Sequence, residues 1–181
     1  MDDLASIERR ASRIRLLLMD CDGVLTDGRL WLTEDGDEQK SFNTHDGLGL
    51  SLLHRVGLRS GIITGRSSKA VARRAAELGV EFVPQGNENK IAAFEEVLRT
   101  AGMDDNEVAF IGDDLPDIPL MRRSELAVAV ADAVEQTRAA AHYVTKAKGG
   151  CGAVREVVEI ILKSQGRWHE VMDQYLRTGK R

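Results

Sequence analysis

Two aspartates, one residue apart, close a strongly apolar run: Leu16-Leu17-Leu18-Met19-Asp20-Cys21-Asp22-Gly23. A buried strand ending this way can present a nucleophile, an acid/base and part of a metal site together. A carboxylate that attacks phosphorus forms an aspartyl-phosphate and splits hydrolysis into two easier steps. The repulsion between carboxylate and phosphate dianion must then be suppressed. A hard divalent cation does this, held by carboxylate oxygens, a backbone carbonyl and water in an octahedral geometry suited to magnesium. Asp20 is read as both nucleophile and metal ligand. Asp22, two residues on, shares its face in an extended chain. A bend at Gly23 can swing Asp22 to the leaving oxygen, as general acid and then general base. The complementary groups follow in order: Thr64-Gly65-Arg66, Lys90, and Gly112-Asp113-Asp114-Leu115-Pro116-Asp117. Asp113 offers the second metal carboxylate, and Asp114 and Asp117 would orient the ligands. Thr64 and the backbone donors after it would hold phosphate oxygens. Lys90 would balance the carboxylates and the transferring phosphoryl group; without these partners it reads as a solvated lysine at a helix start.

These groups need a scaffold that brings distant segments together. Residues 14–19 are an apolar run broken only by Arg15, too short for a buried helix, and predict a buried strand. Further strands are expected at 59–63, 81–83, 108–111 and 126–130, with Tyr143-Val144-Thr145 a candidate sixth. Helices are expected at 4–13, at 46–56 behind an Asp46 cap, and at 67–78, 89–101, 117–122 and 132–140. One long helix is expected at 152–176. Alternating strands and helices imply an α/β fold: a Rossmann-like parallel sheet with helices on both faces. Residues 29–33 and 38–43 interrupt the alternation and flank Glu34-Asp35-Gly36-Asp37, which predicts a β-hairpin inserted after the first strand. In open sheets of this kind ligands bind beyond the carboxyl ends of the strands. Asp20, Thr64 and Asp113 each stand at such an end.

The chain of 181 residues suits one domain, here with a core over 14–165 and a helical tail over 166–181. Its net charge is −4, and Arg9-Arg10, Arg73-Arg74 and Arg122-Arg123 are isolated pairs, so no nucleic-acid footprint is expected. No apolar run approaches the ~20 residues of a membrane span. Cys21 and Cys151 have no metal-like spacing, so reduced thiols and a cytoplasmic location are the expectation. The start, Met1-Asp2-Asp3-Leu4, does not resemble a signal peptide.

Asp20-Cys21-Asp22-Gly23, Thr64-Gly65-Arg66, Lys90 and the 112–117 segment, in this order, resemble the four motifs of the haloacid dehalogenase superfamily of aspartate-nucleophile phosphotransferases. A closer resemblance runs from about 14 to 165. It is carried by Asp27-Gly28 before the hairpin, Phe42-Asn43-Thr44-His45-Asp46-Gly47-Leu48-Gly49, Gln85-Gly86 before Asn89-Lys90, Ala127 to Ala133, and Gly149-Gly150-Cys151-Gly152-Ala153-Val154-Arg155-Glu156. These segments are similar to the 3-deoxy-D-manno-octulosonate 8-phosphate phosphatase family. That resemblance implies a core with no cap domain, magnesium as cofactor, and hydrolysis of a sugar-acid phosphate in lipopolysaccharide synthesis. It also implies a homotetramer whose 29–43 hairpins gather at the centre. Asp20, Asp22 (through its carbonyl) and Asp113 would hold the metal, with Asp20, Asp22, Thr64 and Lys90 catalytic. Asn43, Thr44, His45, Asp46, Gly47, Gly65, Arg66 and Arg74 would join Asp22 and Lys90 in lining the substrate site. Taken alone, Arg74 also reads as a solvent-facing helix residue.

The departures from the family lie on the substrate side. Basic residues are common in it where Ser51 and Cys151 stand, and arginine is frequent where His45 stands. A nine-carbon ulosonate 9-phosphate is therefore an alternative substrate. A non-catalytic oligomeric relative is the alternative from another class, but Asp20, Asp22, Lys90 and Asp113 are all retained. A mutase would need a cap to exclude water, for which the spacing leaves no room. Leu30, Trp31 and Leu32 on the hairpin could be buried within the domain or between subunits. Cys21 reads as a small buried filler rather than a redox switch. The tail, with Trp168, Met172 and Tyr175 at helical spacing, reads as packing or as partial closure over a site, and Thr178 to Arg181 as disordered.

Overall fold

The computed structural model describes residues 3–34, 38–87 and 89–177. Strand β1 (Leu16–Met19) is buried along its whole length, as an apolar run between two covered faces must be. It pairs in parallel with β4 (Arg59–Ile62) on one side and β5 (Val108–Gly112) on the other. Beyond β5 lie β6 (Leu126–Ala129) and β7 (Tyr143–Val144), also parallel, giving the order β4-β1-β5-β6-β7.

The chain leaves β1 toward one edge and returns past it toward the other. Right-handed crossovers therefore put α2 (Thr44–Arg55) on one face and α4 (Lys90–Ala101) and α5 (Ile118–Arg123) on the opposite face. Helix α7 (Ala153–Ser164) packs on α2, and α1 (Leu4–Ala11) packs on α7. Helix α3 (Lys69–Leu78) follows β4, and α6 (Glu135–Ala140) joins β6 to β7. The reversal at β1 is the topological switch point at which a ligand cleft forms. The expected Rossmann-like architecture is present, and no cap domain stands over the sheet among the described residues.

The insertion after β1 is a short antiparallel ribbon, β2 (Trp31–Leu32) with β3 (Glu38–Gln39), in register Trp31↔Gln39 and Leu32↔Glu38. It is shorter than expected, and the turn at 35–37 lies outside the described residues. Leu30, Trp31 and Leu32 are exposed, which removes internal burial as an explanation of that cluster.

Three expectations need correction. The strand at 81–83 does not form. Phe82 and Gln85 make only single parallel bridges, to Gly61 and Thr64; between them Pro84 has no N–H for a ladder. The helix expected at 152–176 is two helices, α7 and α8 (Trp168–Arg177). Gly166 between them adopts φ +67°, and the Arg167 N–H turns back to Leu162 O at 2.8 Å. Its glycine supplies a left-handed helix end that other residues resist. Finally, α2 starts at Thr44, and its cap is Asn43, whose Oδ1 accepts from the His45 N–H at 2.8 Å, not Asp46. Residues 178–181 lie outside the described residues, and with them the expected disorder.

Candidate active site

Asp20 leaves the end of β1 with its N–H donated to Ile111 O at 3.0 Å, so the pairing with β5 continues into the site. Behind it the chain winds tightly. The N–H groups of Val24, Leu25 and Thr26 converge on Cys21 O at 3.0–3.3 Å. Thr26 Oγ1 accepts from the Gly23 and Gly28 N–H groups at 3.4 and 3.2 Å. This winding is possible because Gly23 has φ +92° and no side chain. A Cβ there would stand 2.1 Å from Asp113 Oδ2. The loop therefore sets Asp22 beside Asp20 and brings the backbone against Asp113.

Asp113 follows β5, and Asp117 follows one 3-10 turn later, over Leu115–Asp117. Asp117 Oδ2 accepts from the Asp113 and Asp114 N–H groups at 3.0 and 3.3 Å, while Oδ1 takes the Lys90 ammonium at 2.8 Å. Lys90 opens α4 behind the Asn89 cap, whose Oδ1 accepts from the Ala92 N–H at 3.2 Å. The ammonium is buried between Asp117 and Asp20 Oδ1, 3.0 Å from the latter. A solvated lysine is thus excluded. Burial pulls its pKa down, but the Asp117 and Asp20 carboxylates raise it more.

Carboxylate oxygens of Asp20, Asp113 and Asp117 lie within 4.8 Å of one another. Burial, the Asp117 charge and incomplete compensation by Lys90 push Asp20 to about 6. Burial, then Asp117, Asp20 and Asp114, push Asp113 to about 8. Asp113 Oδ1 is buried without a hydrogen-bond partner, and Asp20 Oδ1 meets only the Lys90 ammonium. Asp117 spends both oxygens on Lys90 and two N–H groups. Asp20 and Asp113 keep more of their oxygens for a hard cation, and an all-oxygen donor set suits magnesium. Asp114 caps the 3-10 turn, accepting from Leu115 N–H at 2.7 Å.

A cleft of about 250 Å³ opens over these groups. Its walls include Asp20, Asp22, Thr64, Gly65, Arg66 and Lys90. Thr64 is buried at the end of β4, and its Oγ1 accepts from the Arg66 N–H at 3.4 Å. Cys21 packs behind the aspartates, fully buried. Burial and the Asp22 charge push its thiol up to about 12, as an inert filler requires.

The expected substrate residues divide into two groups. Gly65 and Arg66 are on the cleft wall. Asn43–Gly47 and Arg74 are not on that wall, and a Cβ on Gly47 would meet Arg74 Nη2 at 2.4 Å. Thr44 and His45 are exposed. Arg74 thus packs on α2 rather than facing solvent alone. Asn43 reaches across to Gly150 O, its Nδ2 donating at 3.3 Å. Asp46 is 1% exposed. Its oxygens accept from the Gly152 and Arg155 N–H groups at 3.1 and 2.8 Å, which satisfies the first turn of α7. Asp46 is therefore a brace that ties α2 to the 149–152 loop. Burial raises its pKa against the pull of those N–H groups.

Sequence reasoning missed Lys40 and Glu38. The Lys40 side chain is 1% exposed and its ammonium pairs with Asp22 Oδ1 and, at 3.4 Å, Glu38 Oε2. Glu38 Oε1 in turn accepts from Arg66 Nε at 3.1 Å. The available signal was the hairpin's alternation, which places Glu38 and Lys40 on one face.

Comparison with known proteins agrees with this geometry. A family model described as haloacid dehalogenase-like hydrolase matches residues 74–157. The chain is 42% identical over 170 residues to the Escherichia coli (strain B / BL21-DE3) protein named 3-deoxy-D-manno-octulosonate 8-phosphate phosphatase, covering 94% of this chain and 90% of that protein. It is 45% identical over 159 residues to the Yersinia pestis protein of the same name, covering 88% of this chain and 85% of that one. A crystal structure of the Moraxella catarrhalis phosphatase of that name, in complex with magnesium ion, phosphate ion and KDO, superposes with a TM-score of 0.93 at 41% identity. That superposition covers 96% of this chain and 99% of the other.

Proposed function

The chain belongs to the 3-deoxy-D-manno-octulosonate 8-phosphate phosphatase family of haloacid dehalogenase-like hydrolases, and on that premise we propose that it is a magnesium-dependent phosphomonoesterase acting on 3-deoxy-D-manno-octulosonate 8-phosphate. The observation that carries this reading is the buried carboxylate cluster of Asp20 and Asp113, with Asp113 Oδ1 unpartnered and Asp20 Oδ1 3.0 Å from the Lys90 ammonium.

Asp20 attacks phosphorus. A bond forms between its carboxylate oxygen and phosphorus as the bond to the sugar oxygen breaks. Asp22 gives its proton to that leaving oxygen. In the second step Asp22 takes a proton from water, whose oxygen bonds to phosphorus as the Asp20–phosphorus bond breaks. Inorganic phosphate and free Asp20 result. Magnesium, held by Asp20, Asp113 and the Asp22 carbonyl, supplies charge neutralisation. Lys90 offsets charge on Asp20 and on the transferring group, oriented by Asp117. Thr64, Gly65 and Arg66 hold phosphate oxygens at the cleft wall. Arg74, Asn43, Thr44, His45 and Gly47 receive the sugar acid, and Asp46 fixes their helix from behind.

The proposal includes a single domain over 1–181, with α8 seated on the core through Val171 and Trp168. It includes a homotetramer through the 29–43 hairpin, which the exposed Leu30, Trp31 and Leu32 support. A cytoplasmic setting is supported by two free cysteines; no described helix is long and apolar enough to cross a membrane.

Phosphate release across a substrate panel, with magnesium and with chelator, tests the function. The expected result is magnesium-dependent turnover with strong preference for the eight-carbon acid over glucose 6-phosphate. Preference for a nine-carbon ulosonate 9-phosphate would reassign the substrate. Silence on every ester by folded, magnesium-loaded protein would remove the phosphatase reading.

A further inference from the structure

The hairpin brings more than an exposed apolar tip. Its second strand ends by burying a lysine at the cleft. Lys40 follows β3 directly, and its ammonium contacts Asp22 Oδ1 on one side and Glu38 Oε2 on the other. Burying a long cationic side chain to 1% exposure needs nearby carboxylates to offset the loss of solvation. Glu38 alone could serve that purpose from within the hairpin. The tighter contact is with Asp22, on a different element. Asp22 itself keeps 19% side-chain exposure and could otherwise turn into solvent. Glu38 is held in its turn by Arg66. A chain of charges, Asp22–Lys40–Glu38–Arg66, thus joins two residues of the cleft wall through the hairpin.

We propose that Lys40 is a positioning residue for the proton transfers: it holds Asp22 by Oδ1 and leaves Oδ2 as the oxygen that passes the proton to the leaving group and takes one from water. Lys40 acts only through Asp22, so its role presupposes the phosphatase reading. A carboxylate that must serve as acid and then base within one turnover needs a fixed orientation toward one oxygen position. Asp22 stands on a loop. The loop's backbone is cinched around Cys21 O and Thr26 Oγ1, but those bonds do not touch the Asp22 side chain. Lys40 supplies that constraint from the hairpin.

The test compares wild type, Lys40→Met and the double variant Lys40→Met/Glu38→Gln on two esters. The double variant also removes the charge of the hairpin carboxylate that the single one would leave paired with Arg66 alone, so a folding defect in the single variant does not decide the matter. The alkyl ester, 3-deoxy-D-manno-octulosonate 8-phosphate, needs a proton on its leaving oxygen. The aryl ester, 4-nitrophenyl phosphate, does not. Loss of a well-placed general acid costs ~10²–10⁴ in rate, so partial misplacement should lower kcat on the alkyl ester by about 10- to 100-fold. KM should stay within about twofold, because no ground-state contact is lost. The aryl ester should keep a rapid nitrophenolate burst near one per site, followed by slow turnover, since aspartyl-phosphate hydrolysis still needs the base.

Equal loss of the burst and of alkyl turnover would overturn the positioning role. So would a raised KM with unchanged kcat, which would make Lys40 a substrate contact, or an unchanged kcat in both variants. A silent wild type would remove the phosphatase reading and this role with it. An active wild type with indifferent Lys40 variants would remove only the latter.

Discussion

Asp46 offers a prediction that separates bracing from substrate binding. The carboxylate is 1% exposed and accepts two N–H groups from the start of α7. Truncation in Asp46→Ala leaves the Gly152 and Arg155 N–H groups without an acceptor. Hydrogen bonds to a charged group contribute ~1.5–3 kcal/mol each, so losing two should cost roughly 3–6 kcal/mol. For a chain of this size each kcal/mol moves Tm by ~2–4 °C, which predicts a fall of roughly 10 °C. Asp46→Asn keeps one acceptor oxygen and should lose about half as much. Thermal unfolding by circular dichroism, together with steady-state kinetics below the transition, reads both effects. The bracing role predicts large Tm losses with KM nearly unchanged in Asp46→Asn. A native Tm in Asp46→Ala, or a KM raised tenfold or more with Tm intact, would refute it.

Three further outcomes follow from the same geometry. Gly149→Ala should abolish activity and destabilise the fold, because a Cβ there would lie 1.7 Å from Gly23 O in the loop that carries Asp22; near-normal turnover in the purified variant would contradict this. The metal-free protein should lose stability as pH rises from about 4 to about 8, since folding raises Asp20 to about 6 and Asp113 to about 8 and the folded state holds more protons than the unfolded across that window. Magnesium displaces those protons, so its stabilising effect in thermal scans should grow with pH; a flat profile would be inconsistent with Asp20 and Asp113 as ligands. Trp31→Asp should shift the sedimenting species toward monomer, and an unchanged mass would remove the hairpin from the subunit interface.

The carboxylate end of the cleft was legible because its signals are local. Asp20, Thr64 and Asp113 each close a short apolar run, and Gly23 and Gly112 mark where backbone and carboxylates crowd together. A Cβ on Gly112 would meet Asp117 Cβ at 2.5 Å. What escaped was set by contacts between distant segments. Asp46 looks like a cap for its own helix, yet it serves α7, more than a hundred residues on. Lys40 looks like a solvated hairpin lysine until β1 and its loop are placed beside it. The break at Gly166 was visible as a glycine inside a helical pattern, but apolar periodicity on both sides masked it. Pro84 likewise argued against the strand at 81–83, and the parallel bridges on either side show how close that segment comes to the sheet.

The most direct test of the central claim is to catch Asp20 carrying phosphate. Magnesium-loaded protein would be mixed with 3-deoxy-D-manno-octulosonate 8-phosphate, quenched within one turnover and reduced with borohydride, which converts an aspartyl-phosphate to homoserine. Peptide mass spectrometry should then find homoserine at position 20 in wild type and none in Asp20→Asn, which should also release no phosphate. Turnover by wild type with unmodified Asp20 throughout, or phosphate release by pure Asp20→Asn, would contradict the mechanism.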